Sequence, residues 1–123
     1  MVGRFAMFGL TQALQVYVHR EAVDFRKQVN GLTALVEQEL KLDPFAPACF
    51  VFRNKRADKV KLIWWERNGF WLAYKRLEQD RFVWPRGEAA VITLSLQQLQ
   101  WLLAGFDLGA MRGHAPRHYQ RAS

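Results

Sequence analysis

The segment between Cys49 and Pro85 constrains the fold of this chain most strongly, because short β-prone runs alternate in it with compact turn signals. The runs occupy residues 50–52, 60–65, 70–76 and 82–84. Asn68-Gly69, between the second and third runs, is typical of a two-residue hairpin turn. Strands joined by connections this short pair with their sequence neighbours. The segment therefore predicts an antiparallel β-meander.

A helix is predicted immediately before the meander. Asp24 can cap it, and the apolar residues that follow recur at spacings of three and four. These residues are Phe25, Val29, Leu32, Leu35, Val36 and Leu40. The sequence Asp-Pro-Phe-Ala-Pro at 43–47 ends the helix and turns the chain.

Shorter elements flank this helix and the meander. Residues 16–18 and 90–93 predict further strands, and Thr93 or Ser95 can cap a short second helix that stops near Gly105. The predicted fold class is α+β, with an antiparallel β-meander of about four to six short strands packed against one main helix and a short C-terminal helix.

Length and composition fit a single domain. The chain has 123 residues, of which 50% are hydrophobic, so it can bury one core. We expect one α+β domain over residues 1–107 and a basic, loosely ordered tail over 108–123. The single cysteine, Cys49, excludes an internal disulfide and fits a reducing cytoplasm. No apolar run approaches the roughly 18–20 residues that a bilayer span needs.

Positive charge is concentrated on the predicted meander. The chain has 18 Lys and Arg against 11 Asp and Glu, a formal net charge of +7. The stretch from Arg53 to Arg86 alone carries a net charge of +6. Such an excess favours polyanionic partners, such as nucleic acid or an anionic surface. We expect no membrane as a partner. The expected location is the cytoplasm, with association to the nucleoid when the chain is bound to DNA.

The hairpin register predicts a cluster of like charges. If Asn68-Gly69 closes the turn, Arg67 pairs with Phe70 and Lys61 lies opposite Arg76. Like charges at opposite positions destabilise a sheet, and a bound anion would relieve the repulsion. Aromatic residues on the same face could stack bases. The alternative is a solvated face whose cations serve solubility and whose aromatics belong to the core.

Two further cations, Arg26 and Lys27, are predicted to lie in the first turn of the main helix. There they face the positive end of the helix dipole, and a phosphate would be held by the side chains and the free N–H groups together. The alternative is that they extend into solvent or pair with Glu21 and Asp24. The candidate nucleic-acid-binding residues are Arg26, Lys27, Arg53, Lys55, Arg56, Lys59, Lys61, Lys75, Arg76 and Arg81.

Signals for catalysis, metals and cofactors are missing from the sequence. Cys49, His19, His114 and His118 have no metal-ligand spacing, and there is no phosphate-binding loop or nucleophile motif. Cys49 opens an apolar strand, where a buried, inert thiol is expected. We therefore predict no catalytic residue, no metal and no cofactor, and a chain that is not an enzyme.

Several motifs occur in an order that resembles a known family. The motifs are DFRK at 24–27, GL at 31–32, LDPF at 42–45, FVFRNKR at 50–56, KLIWW at 61–65, NGFW at 68–71, YKRLE at 74–78 and RFVWP at 81–85. Together they resemble TnpB, the second reading frame product and small accessory protein of the IS sixty-six family of bacterial insertion sequences. The resemblance spans roughly residues 16–106. Phe25 replaces a usual Met, and Ala48-Cys49 replaces a commoner pair that contains Gly.

The resemblance implies a role in DNA transposition beside a separate, larger transposase that carries the catalytic acidic residues. Two functions follow as hypotheses. In the first, the chain is a non-catalytic accessory factor that binds DNA, at the element ends or the target, through a basic β-hairpin face. In the second, it is an adaptor that docks on the transposase without direct DNA recognition. A third possibility, a cryptic nuclease, needs two or three carboxylates within metal-bridging distance.

The positions of three tryptophans discriminate between the two hypotheses. Exposure of Trp65, Trp71 or Trp84 in a contiguous patch favours docking on a protein. Burial of these rings beside a continuous basic groove favours DNA.

Overall fold

The computed structural model describes residues 14–111 as a five-stranded sheet with a helix on each face. In chain order the elements are β1 (Gln15–His19), α1 (Val29–Gln38), β2 (Ala48–Arg53), β3 (Lys59–Glu66), β4 (Gly69–Arg76), β5 (Val91–Leu94) and α2 (Leu96–Leu103). The strand order is β4-β3-β2-β1-β5. The predicted α+β class, with a main helix and a short C-terminal helix, is confirmed.

The sheet is mixed. Strands β2, β3 and β4 form the predicted antiparallel meander, and β5 pairs antiparallel with β1. However, β1 and β2 pair in parallel, which differs from the predicted antiparallel arrangement. The reason is the connection over residues 20–47, which contains α1 and returns the chain to the end of the sheet from which β1 started.

Residues 82–84, predicted as a strand, are irregular. The backbone N–H of Phe82 donates to Ala57 O rather than to a neighbouring strand, and the Phe82 side chain is buried in the core. Burial of one aromatic ring from a loop therefore explains the apolar pattern that the sequence presents here.

Each face of the sheet buries its own core. On the α1 face, Phe50, Phe52 and Ile63 pack with Leu32 and Val36 of the helix. On the other face, which we call the α2 face, the strand residues pack against Leu96, Leu99 and Leu102 of α2. The strand residues of the α2 face include Val16, Val18, Cys49, Val51, Val60, Leu62 and Trp64.

Helix α1 begins later than the sequence predicts. Its first residue is Val29, and Asp24 does not cap it. The Asp24 carboxylate accepts instead from the backbone N–H of Arg26 at 3.0 Å, which closes a separate turn. The prediction that Arg26 and Lys27 occupy the first helical turn is therefore wrong, and so is the argument from the helix dipole.

The β3–β4 register also differs from the prediction. Glu66 pairs with Gly69, so Arg67 and Asn68 form the turn and Lys61 lies opposite Tyr74 rather than Arg76. The observed register places Trp64 opposite Trp71 and Trp65 opposite Phe70, with ring centroids 6.2 and 5.1 Å apart. Cross-strand aromatic pairs of this kind stabilise a sheet, and a slip of two residues would separate both of them.

Helix α2 begins at a complete capping box. The Ser95 hydroxyl accepts from Gln98 N at 3.1 Å, and the Gln98 side chain accepts from Ser95 N at 2.9 Å. Ser95 is thus the cap, and the chain leaves the helix at Gly105, whose φ is +95°. Gly105 adopts this left-handed conformation without strain because it has no Cβ.

Replacing Ser95 with alanine is expected to lower the free energy of unfolding by about 1 kcal/mol, because the amide of Gln98 loses its acceptor. Urea denaturation of the variant and the wild type measures the loss. Ser95→Asp is the control, since aspartate also caps helices. Equal losses in both variants would contradict the capping role.

Residues 108–111, the start of the predicted tail, are helical, and Leu108 is buried at 6% exposure. The remainder of the predicted tail, which includes His114 and His118, lies outside the described residues. No helix within residues 14–111 is long and apolar enough to cross a membrane.

Candidate nucleic-acid interface

The topology gathers cations at one end of the sheet. Strands β1, β2 and β4 end there, and β3 and β5 begin there. The cations carried by these strand ends and their connections form what we call the basic end, which consists of Arg20, Arg53, Lys55, Arg56, Lys59, Arg76, Arg81 and Arg86. Six of these eight belong to the set predicted from sequence, whose other members, Arg26, Lys27, Lys61 and Lys75, lie outside the basic end.

The β2–β3 turn presents two of these cations in a fixed conformation. The Asn54 side-chain oxygen accepts from the backbone N–H groups of Asp58 and Lys59 at 3.1 and 3.0 Å. This closed turn leaves Lys55 and Arg56 exposed at its tip. The turn is also tied to the loop after β4, because Leu77 N donates to Asp58 O at 2.8 Å.

Like charges do meet on the meander, although in a different pair from the predicted one. Lys59 lies opposite Arg76 in the β3–β4 ladder. Arg76 donates to the carboxylate of Glu78 at 2.9 Å, and this hydrogen bond raises the pKa of the Arg76 guanidinium. Within residues 14–111, no carboxylate lies within ion-pair distance of Lys59. Lys59 therefore remains available to an external anion.

Lys61 is buried rather than displayed. Its side chain is 5% exposed, and its Nζ donates to the carbonyl oxygens of Phe25 and Lys27 at 2.9 and 2.8 Å. The Phe25 ring lies 4.7 Å from the same Nζ, and burial lowers the pKa of the amine. Lys61 thus fixes the segment before α1 against the sheet, and we leave it out of the proposed DNA contacts.

Arg26 lies beside an open groove on the α1 face. Its guanidinium pairs with Asp24 at 2.6 Å and lowers the pKa of that carboxyl, as the alternative interpretation of the sequence expects. Arg26, Lys59 and Tyr74 line the groove, which has a volume of about 550 Å³. The structure therefore brings Arg26 close to the basic end, although not through a helix terminus.

Lys75 projects from the opposite face of β4. Its Nζ donates to Leu103 O, the carbonyl at the end of α2, at 2.8 Å. A cation at this position satisfies a free helix carbonyl and opposes the negative end of the helix dipole. Lys75 and the groove residue Arg26 thus lie on different faces of the hairpin.

The three tryptophans that discriminate between the two hypotheses form no contiguous patch. Trp65 lies on the α1 face near the hairpin turn, where it contacts Phe45 and Phe70. Trp71 lies on the α2 face and is 44% exposed. Trp84 is half-buried at the basic end, where the Arg53 guanidinium lies 5.8 Å from its ring centroid. The three rings therefore form no shared surface, and they are not buried either, because Trp65 and Trp84 are half-buried and Trp71 is exposed. Their positions favour neither hypothesis.

The described part of the chain holds a buried cysteine and no cluster of metal ligands. Cys49 is fully buried, as predicted, and burial raises the pKa of its thiol to about 12. Within residues 14–111, no group of three or more His, Cys, Asp or Glu side chains could hold a metal ion.

Comparison with known proteins assigns the family. The family described as IS66 Orf2 like protein matches residues 14–113. The chain belongs to the IS66 Orf2-like family. This confirms the resemblance found in the sequence and identifies an accessory protein of insertion sequences with a role in transposition.

Two relatives of this Orf2-like chain are the uncharacterized proteins y4jC and y4hO of Sinorhizobium fredii. The first is 38% identical over 101 residues, which cover 82% of this chain and 86% of the relative. The second is 38% identical over 96 residues, which cover 78% of this chain and 84% of the relative. No solved structure matches the Orf2-like chain.

Sequence reasoning missed two cations of the basic end, Arg20 and Arg86, because they lie in the connections after β1 and before β5. The parallel pairing of β1 with β2 is what places Arg20 beside Arg53. No local pattern in the sequence indicates that pairing. A correct prediction of the β1–α1–β2 crossover would have been the signal.

Proposed function

We propose that this Orf2-like chain is a non-catalytic accessory factor in transposition that binds DNA directly through its basic end. The proposal is supported by the convergence of cations from separate connections at one end of the sheet. Lys and Arg contacts to phosphates supply most of the sequence-independent affinity of proteins for DNA. The proposed partners are DNA, at the element ends or the target, and the separate transposase of the same element.

The proposed phosphate contacts are the cations of the basic end together with Arg26. Lys55 and Arg56 are central to the proposal because the Asn54 turn holds them outward. Ordered cations lose less conformational entropy on binding than cations on mobile segments. Lys27 and Lys75 remain predictions of the sequence, to be tested in the same way.

Removing two charges from the β2–β3 turn, in the variant Lys55→Gln/Arg56→Gln, is expected to weaken DNA binding about tenfold near 0.1 M salt. For about 4–6 phosphate contacts in the wild type, log affinity falls with log salt at about −0.9 per contact, and the variant loses about two contacts from that slope. Fluorescence anisotropy of labelled element-end and scrambled duplexes over a salt series measures both quantities.

The matched control is Lys41→Gln/Arg67→Gln, which also removes two exposed cations but lies outside the basic end. It is expected to keep the wild-type salt slope. Equal weakening in both double variants would mean that net charge alone attracts DNA, which contradicts a defined interface. Tighter binding of the element-end duplex would identify an end-binding protein, and equal binding a non-specific DNA-binding factor.

One observation favours the adaptor as a second function. Phe45, Trp65 and Phe70 form a surface cluster with ring centroids 5.0–5.3 Å apart, and Phe45 is 54% exposed. Exposed aromatic clusters are typical of protein interfaces. If neither duplex binds at low salt, we expect the transposase to bind the wild type and to bind Phe45→Ala less tightly in a pull-down.

A further inference from the structure

Three arginines surround a pocket at the carboxyl ends of β1 and β2. The pocket has a volume of about 270 Å³ and is lined by Arg20, Arg53, Trp84, Pro85, Arg86 and Gly87. The arginines come from three separate parts of the chain, namely the residue after β1, the last residue of β2 and the loop before β5. Only the folded chain brings them together.

The sheet register places two of these guanidinium groups on neighbouring strands. Val18 of β1 lies beside Val51 of β2, and two residues further along each chain are Arg20 and Arg53. Adjacent strands with like charges at neighbouring positions repel each other. Arg53 remains in place because its Nε and Nη2 donate to the Arg20 carbonyl oxygen, each at 3.3 Å.

The positive charge of the pocket is only partly neutralised. Within residues 14–111, the one carboxylate within ion-pair distance of the three arginines is that of Glu21, which lies 2.9 Å from Arg20. Among the described residues, Arg53 is held by neutral groups alone, which are the backbone carbonyls of Arg20 and Lys55 and the ring of Trp84. Arg86 lies on the exposed side of the pocket.

Trp84 orients Arg53. The indole Nε1 donates to His19 O at 3.0 Å, which fixes the ring beneath the guanidinium. A planar guanidinium held by an aromatic ring is preorganised for an oxygen anion. Nε, Nη1 and Nη2 of Arg53 each already donate one N–H to the carbonyl oxygens of Arg20 and Lys55. The two N–H groups that remain, one on each terminal nitrogen, are the donors that Arg53 can offer to a phosphoryl group.

We propose that the pocket formed by Arg20, Arg53 and Arg86 binds a phosphoryl group, and that in the DNA complex this is a phosphate of the backbone. The inference rests on the proposed function and extends it to residues outside the meander. A phosphate held by several fixed guanidinium groups sets the orientation of a protein on the duplex, without reading base sequence. The pocket would therefore act as the anchor of the interface.

The test follows the indole N–H signal of Trp84 in proton–nitrogen NMR spectra, with Trp84→Phe used to assign it. Inorganic pyrophosphate and a short duplex without terminal phosphates are titrated separately. Both are expected to shift the signal in a saturable way. Arg86→Gln is expected to raise the half-saturating pyrophosphate concentration about threefold or more, as for other solvent-exposed ion pairs. It should also reduce the salt slope of duplex binding by about 0.9.

Arg67→Gln is the matched control, because it removes one exposed arginine at the hairpin turn and lies outside the pocket. It should leave both titrations unchanged. A shift with pyrophosphate but none with the duplex would overturn the assignment to backbone DNA and indicate a free or terminal phosphate. No saturable shift with either probe, while anisotropy still detects duplex binding, would overturn the pocket and leave the proposed function standing. If the wild type binds pyrophosphate but anisotropy detects no duplex binding, the proposed function is overturned, and so is the assignment of the phosphoryl group to DNA. The phosphoryl-binding pocket itself would still stand.

Discussion

Phe50→Ala is expected to lower the free energy of unfolding by about 3–5 kcal/mol, the range found when a buried phenylalanine is truncated. Phe50 is fully buried in β2, the central strand of the sheet. It lies between Tyr17 and Ile63 on the neighbouring strands, with its ring stacked on Tyr17 at 5.8 Å. Because three strands and α1 meet there, the surrounding side chains cannot collapse fully into the space left behind.

Urea denaturation of Phe50→Ala and the wild type measures this loss. Phe45→Ala provides the comparison, since Phe45 is 54% exposed and removes a ring of the same size. Its expected loss is about 1–2 kcal/mol, because it makes two aromatic contacts at the surface, with Trp65 and Phe70, and each is near the lower end of the range of about 0.5–1.5 kcal/mol. Similar losses in the two variants would show that the α1 face is not the packed core described above.

Replacement of Lys61 by methionine is expected to cost about 2–3 kcal/mol of stability. The variant removes a charged donor that serves two carbonyl oxygens, those of Phe25 and Lys27, and a hydrogen bond to a charged group contributes about 1.5–3 kcal/mol. Methionine fills the space of the stem but cannot donate to these carbonyls, so both lose the partner that ties the segment before α1 to the sheet.

The matched variant is Lys59→Met, which alters the same strand and face two residues earlier. Lys59 is half-buried, and its replacement is expected to change stability by about 0.5 kcal/mol or less. The effects on DNA binding are expected in the opposite order: Lys59→Met weakens it more than Lys61→Met, because Lys59 belongs to the basic end and Lys61 does not. A stable Lys61→Met variant with a reduced salt slope for DNA would contradict the structural role assigned to Lys61.

Local patterns in the sequence predicted most of the elements. The three strands of the meander, both helices, the cap at Ser95 and the burial of Cys49 all depend on residues near one another in the chain. Periodicity, turn residues and capping preferences act over a few residues, so a single sequence is enough to predict them. The same holds for the convergence of Lys55, Arg56 and Lys59 on one short turn.

The wrong predictions, those of the start of α1 and of the hairpin register, share a different cause. In both, contacts between residues distant in the chain override a local preference. Asp24 could cap a helix, but it forms a turn with Arg26 instead. Lys61 of β3, which is distant in the chain, holds this turn in place by donating to Phe25 O. The observed hairpin register pairs Trp64 with Trp71 across the strands, and a turn rule based on Asn68-Gly69 takes no account of such a pair. Such outcomes depend on which groups meet after folding, and spacing along the chain does not record this.

The residues of the candidate interface also fall into those that local sequence predicts and those that depend on long-range pairing. Lys55 and Arg56 could be found from their charge and turn position, whereas the Arg20 and Arg86 sides of the pocket depend on the β1–β2 pairing and the course of the loop after β4. Lys61 is the converse case, since its charge indicated a surface position and its hydrogen bonds place it inside. Counting cations therefore locates a basic region without identifying which of its members face outward.

The placement of one helix on each side of the sheet also affects how the chain folds while it is being synthesised on the ribosome. Helix α1 precedes β2, so the side it covers can close once the meander has been synthesised, whereas the opposite side waits for α2. Until then, side chains such as Val51, Leu62 and Trp64 lack the cover that Leu96, Leu99 and Leu102 provide. Nascent chains with uncovered apolar surface are prone to aggregation and rely on chaperones. A chain truncated before Ser95 is therefore expected to aggregate rather than to fold into a smaller working domain.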